Sequence, residues 1–185
     1  GVGSDSSIIG YQAEWQTFFN DNATSSYDYT KFRYQYGKGL DCSGFVAWTV
    51  YNTLNTKAKQ PSIVTSSTLV ASTYKKWGWC DIVDSSDKTY RPGDIISMNG
   101  HVWISLGQYS DGSILLVHSS PKGVQISGTA GTAAAKASYY MKTYFPAWPY
   151  AARTVGSSYT SNVVRGRWKF SGTDSVLKDP DGLQK

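Results

Sequence analysis

Gly100-His101-Val102-Trp103-Ile104-Ser105-Leu106-Gly107-Gln108-Tyr109-Ser110-Asp111-Gly112-Ser113-Ile114-Leu115-Leu116-Val117-His118 is the stretch on which the fold turns. Two apolar runs, His101 to Leu106 and Ile114 to His118, flank a segment carrying Gly107 and Asp111-Gly112. Runs of this length around turn residues read as two antiparallel strands. Side chains alternate along a strand. His101, Trp103 and Ser105 therefore share one face, and Val102, Ile104 and Leu106 the other. On the second strand Ile114, Leu116 and His118 share a face.

Register decides whether the two histidines of the chain meet. A two-residue turn at Asp111-Gly112 sets His118 opposite Ser105, about 13 Å from His101 at about 3.3 Å per residue. A loop from Gly107 to Gly112, centred between Tyr109 and Ser110, sets His118 directly opposite His101, with Cβ atoms about 5 Å apart. The second register lets one imidazole orient the other, and it is the one expected.

Outward from the hairpin, Arg91-Pro92-Gly93-Asp94 reads as a turn into a short strand, Ile95 to Ser97. Asp41 to Leu54 reads as a helix capped by Asp41, with Ala47, Val50, Tyr51 and Leu54 on one apolar stripe. Other helices are expected over Gly10–Asn20 and over Ser66–Trp77, the latter closed by Gly78. Phe32 to Gly37 is a short strand or extended turn. Downstream, Val124 to Ile126 and Asn162 to Phe170 read as strands, and Ala130 to Tyr140 is open between helix and loop. Tyr139, Tyr140, Tyr144, Phe145, Trp148 and Tyr150 are expected in the core rather than along a groove. Helices first and an antiparallel sheet after them give an α+β class.

The 185 residues suffice for one domain with its own core. Only 17% are charged, 15% are aromatic and the net charge is +5, a balance that suits an extracellular surface with polyanionic surroundings. No run of Lys and Arg forms a nucleic-acid patch. No apolar run approaches the length of roughly 18 residues that spans a membrane. Ile8-Ile9 is too short for the core of a signal peptide, and the opening Gly-Val-Gly-Ser-Asp-Ser-Ser reads as a linker end that leaves room for a removed leader.

Two cysteines could form one disulfide, the ordinary arrangement in a secreted protein. The surroundings of Cys42 favour a free, reactive thiol instead. A thiol attacks as thiolate, and its unperturbed pKa of about 8.5 leaves little of it at neutrality. Cys42 opens the helix that Asp41 caps, so the dipole and free N–H groups of the first turn are expected to lower that value. The same N–H groups offer an oxyanion hole, and Gly44 lets the backbone approach a substrate. His101 is the expected base and His118 the group that orients it. The competing reading of His118 is a core residue bonded to backbone. Cys80 reads as packing. No metal-ligand set and no phosphate-binding glycine loop is present, and no cofactor is expected.

Asp41-Cys42-Ser43-Gly44-Phe45-Val46 resembles the nucleophile signature of the NlpC/P60 cell-wall peptidases. Tyr34-Gln35-Tyr36-Gly37 resembles the family's upstream Tyr-Gly element, and Arg91 to Ile96 its Pro-Gly-Asp turn. Gly100 to Gly107 resembles its histidine strand, and Val117-His118-Ser119 the strand with the third polar residue. The resemblance implies a papain-like fold, with the nucleophile at the N-terminus of a helix packed on an antiparallel sheet. It implies a secreted or wall-located thiol endopeptidase that cuts peptidoglycan stem peptides between γ-D-glutamate and a diamino acid or lysine. It implies catalysis by Cys42, His101 and His118, and substrate contacts from Tyr34, Asp41 and Ser43. Three departures stand out: Lys38 replaces a glycine, Trp103 replaces a small residue and could narrow the cleft or stack on substrate, and the long gap from Val50 to Tyr90 suggests an added helical flap.

The whole chain, 1–185, is read as one catalytic domain, with a helical extension over 1–30 and a C-terminal elaboration over 120–185. A monomer is expected, with stem peptides and anionic wall polymers as partners, and neither nucleic acid nor a membrane span. Two other functions compete. One keeps the machinery in an N-acetylmuramoyl-L-alanine amidase, another papain-like amidase or an acyltransferase. The other is a non-catalytic wall-binding module, which needs aromatics in a groove but no cysteine at a helix start.

Overall fold

The computed structural model describes residues 17, 20–21, 40–53, 65–120, 123–148 and 151–169. Tyr34, the segment Phe32–Gly37 and most of the helix expected over Gly10–Asn20 lie outside the described residues.

Asp41 starts the first helix as its cap. Its carboxylate accepts the Gly44 N–H at 2.6 Å and the Ser43 hydroxyl at 3.1 Å, which occupies donors that a helix start leaves open. The helix, α1 (Cys42–Thr53), buries Phe45, Val46, Ala47 and Val50. A 3-10 turn (Ser67–Leu69) leads into α2 (Val70–Lys76), and Gly78 turns the chain with φ +79°. This helix belongs to the core; residues 54–64 of the segment expected as a flap lie outside the described residues. Tyr74 is fully buried among Trp77, Trp79 and Trp168, and the Ala71 N–H bonds Ser97 Oγ at 3.1 Å. A third helix, α3 (Gly131–Tyr144), follows later.

One sheet of seven strands organises the described residues: β1 (Cys80–Ile82), β2 (Ile95–Met98), β3 (His101–Gln108), β4 (Ile114–Ser120), β5 (Gly123–Gly128), β6 (Arg153–Thr154) and β7 (Val164–Trp168). Their spatial order is β1-β7-β2-β3-β4-β5-β6. Only the β5–β6 pair is parallel. Mixed helices on this sheet make the class α+β. No helix among the described residues is long and apolar enough to cross a membrane.

The sheet has two unlike faces. Ile95, Val102 and Ile104 pack under α1 and α2, with Val117 and Val124 beside them. Leu115 and Ile126 face α3 on the same side. The opposite face carries Ile96, Trp103, Ile114 and Leu116, covered by Tyr90, Val155 and Tyr159. α3 presents Ala133, Ala137 and Met141 to the sheet, with Tyr140 partly buried beside them. It lies so close that a Cβ on Gly128 would sit 2.3 Å from the Ala133 backbone, so only glycine fits there. Tyr139, Tyr144 and Phe145 are consequently 54%, 63% and 51% exposed, against the expectation of core.

The hairpin differs from both expected registers. Its turn is Tyr109–Ser113, closed by Gly112 N–H to the Tyr109 carbonyl at 2.9 Å and by Asp111 accepting the Ser113 N–H at 2.9 Å. Gln108 pairs with Ile114 and Gly107 with Leu115, but Ser105 pairs with Leu116 and Ile104 with Val117. Leu106 is thus an extra residue, a bulge, beside Gly107 at φ +128°. One pair further along, His118 stands opposite Trp103, two residues from His101 and on its face. A straight ladder from the turn would instead set His118 opposite Ile104, among the residues under the helices.

Candidate active site

The site forms where β3 begins and α1 starts. Ser119, near the end of β4, donates its hydroxyl to the Leu40 carbonyl and holds the approach to α1 across the end of the sheet. Cys42 follows, half-buried against the core. The N–H groups of Val102, Ser43 and Cys42 itself lie near its sulfur and favour the anion. They do not win. Burial pushes the thiol above its ordinary value, and the Asp41 carboxylate adds to the rise. The lowered thiol expected from a helix start is corrected accordingly, because packing α1 onto the sheet removes water from the sulfur.

His101 Nε2 lies 2.9 Å from His118 Nδ1, with the rings edge to face. His118 is fully buried, and its Nε2 lies 3.0 Å from Ser127 Oγ on β5. Burial lowers His101 to about 4 and His118 to about 3, helped in both by the nearby charge of Arg153. Both rings are therefore neutral at pH 7. Among the described residues no hydrogen bond joins Cys42 to His101. The N–H of Val102, the next residue along the strand, lies near the thiol.

Tyr159 completes the enclosure. Its hydroxyl is 3.4 Å from His118 Nδ1, and its ring stands edge-on to both imidazoles. Its hydroxyl is pushed up by burial and by the charge that Cys42 would carry, which places it near the thiol.

The structure thus brings His101 and His118 into contact and sets Cys42 at the head of the same strand. Asp41 and Ser43 lie beside the thiol, engaged with each other and with the helix start. Trp103 is fully buried and stacked on Tyr90 at 5.9 Å, so it belongs to the core and offers no surface to a substrate. Cys80 is a free, buried thiol pushed up to about 11, with its sulfur on the Ala71 carbonyl, and no disulfide joins it to Cys42. Among the described residues no group of three or more His, Cys, Asp or Glu could hold a metal ion.

Sequence reasoning missed Ser127, Tyr159 and Arg153. Ser127 had a signal: Gln125 and Ser127 alternate with Val124 and Ile126, which marks a polar face opposite an apolar one. Tyr159 sits in a 3-10 turn (Ser157–Tyr159) without a periodic pattern, and Arg153 in a two-residue strand. Comparison of the chain with protein-family models, with curated proteins and with solved structures returns no match.

Proposed function

We propose that this chain is a papain-like thiol hydrolase of the NlpC/P60 kind, acting outside the cell on peptidoglycan stem peptides at a γ-D-glutamyl bond to a diamino acid or lysine. The observation that carries the reading is the 2.9 Å contact between His101 and His118 at the start of the strand whose Val102 N–H faces Cys42. Core histidines bonded only to backbone would not form such a pair.

The resting site holds a neutral thiol and neutral imidazoles. His101 Nδ1 takes the proton from Cys42 Sγ as the sulfur attacks the amide carbonyl. His101 Nε2–H donates to His118 Nδ1, and His118 Nε2–H donates to Ser127 Oγ, so each ring keeps one tautomer. The N–H groups of Cys42 and Ser43 stand at the helix start, where an oxyanion needs donors. The imidazolium then gives its proton to the leaving amine, and a thioester forms. Water, activated by His101, attacks the thioester carbonyl, releasing the carboxylic acid and restoring the thiol.

Digestion of purified peptidoglycan by wild type and Cys42→Ala, read by mass spectrometry, tests this. New stem fragments from wild type alone are expected. Release of whole stems from muramic acid would reassign the bond to an amidase. Equal products from both forms, or none, would reject the thiol mechanism on this substrate.

A further inference from the structure

Three arginines lie on the last two strands of the fold, β6 and β7. Arg165 donates to the carbonyls of Thr89, Asp84 and Asp87, and Arg167 to Asp87, Asp94 and the Thr89 carbonyl. Arg153 differs: it is exposed, and among the described residues its side chain makes no ion pair and no hydrogen bond.

Its placement is specific. β6 pairs in parallel with β5, with Arg153 in register with Ser127. Residues paired directly across neighbouring strands point to the same face. Ser127 Oγ holds His118, so Arg153 rises on the histidine face, at the sheet edge next to the site. Val155, two residues on, packs with Trp103 and Tyr159 on that face. The guanidinium is near enough for its charge to act on His101, His118 and Tyr159. An unpaired cation there opposes formation of an imidazolium, the species that proton transfer from Cys42 must produce. An anion brought by the substrate would cancel that opposition.

We propose that Arg153 is the carboxylate-binding subsite of this centre, taking a substrate carboxylate close to the scissile amide. In a γ-glutamyl substrate, the carboxylate left free is the α-carboxylate of the glutamyl residue. The proposal rests on the hydrolase reading above and adds its specificity. A guanidinium suits the role because its planar fork matches both carboxylate oxygens. Neutralising Arg153 also strengthens His101 as a base, so the substrate carboxylate acts on kcat as well as KM.

The test uses two stem peptides that differ only at the D-glutamyl α position, one a carboxylate and one a carboxamide. Cleavage by wild type and Arg153→Gln is measured, together with calorimetric binding to Cys42→Ala and to Cys42→Ala/Arg153→Gln. Wild type should favour the carboxylate by about tenfold or more in kcat/KM, and Cys42→Ala should favour it in binding. Arg153→Gln should bring both preferences within about twofold of unity. Arg153→Lys should keep part of them, since the charge survives but the fork is lost. A preference that persists in Arg153→Gln, or none in the Arg153 forms, would overturn the proposal. Binding preference without Cys42-dependent cleavage would retain the subsite and reject the hydrolase. Cleavage without preference would do the reverse, and neither binding nor cleavage would reject both.

Discussion

Alkylation of Cys42 by iodoacetamide should accelerate steeply with pH across neutrality. The thiol is held above its ordinary value of about 8.5, while His101 stands at about 4. The proton therefore rests on sulfur, and moving it to imidazole in the resting site is uphill. An ion pair is then a minor species, and at pH 7 the thiol form dominates over the thiolate. Alkylation should therefore rise about tenfold per pH unit from 6 to 8. Cys80 serves as an internal control: it is fully buried and pushed up to about 11, so a single adduct is expected. The assay is a time course of adduct mass at each pH. A preformed thiolate–imidazolium pair would instead give a plateau. A rate at pH 5.5 within about threefold of that at pH 8 would refute the neutral resting state and the burial argument behind it. The cost is compatible with catalysis, because turnover of about 1 s⁻¹ already corresponds to a barrier near 17 kcal/mol.

Acid should destabilise the fold well before its carboxylates titrate. Both histidines have folded values below their unfolded value of 6.5, so their contribution is complete above about pH 6.5 and is lost as pH falls toward about 4 and 3. At pH 5 this amounts to about 2 kcal/mol per histidine. Urea titrations of wild type and of His101→Gln/His118→Gln should diverge between pH 7 and 5, and parallel curves would count against the buried neutral pair. Asp41→Ala removes the acceptor of the Gly44 N–H and should cost about 1 kcal/mol, or roughly 2–4 °C in Tm by calorimetry. Ser127→Ala leaves the buried His118 Nε2 without its partner and should cost about 1–3 kcal/mol in urea titration. A loss below about 0.5 kcal/mol would mean that no proton of His118 depends on Ser127.

What the sequence made legible was local. The Asp41 cap, the burial of Ala47 and Val50 on α1 and the period of the hairpin strands each need only neighbours within a turn or a strand, and these are found, while Leu54 and the side chain of Tyr51 lie outside the described residues. The register was not legible, because the bulge at Leu106 answers to pairing on both edges of β3 at once. The thiol's direction was missed for a related reason. Dipole and N–H groups are written in the helix start, whereas the desolvation that outweighs them comes from packing against core residues distant in the chain. Trp103 looked like a groove residue because it stands beside the base, but the cover of Tyr90 and Tyr159 seals it. Arg153 and Tyr159 reach the site only through β6, a strand too short to announce itself.

The bulge has a consequence for how this chain tolerates insertion and deletion. Leu106 is slack in β3: the ladder runs past it from Gly107 to Ser105, and its side chain is 38% exposed. Deleting it would straighten the strand and still leave His101 and His118 on one side. Removing any single residue between His101 and Ser105 would send one imidazole under the helices. Length variation in this hairpin is therefore free at one position and forbidden at its neighbours, and a deletion scan would trace that boundary.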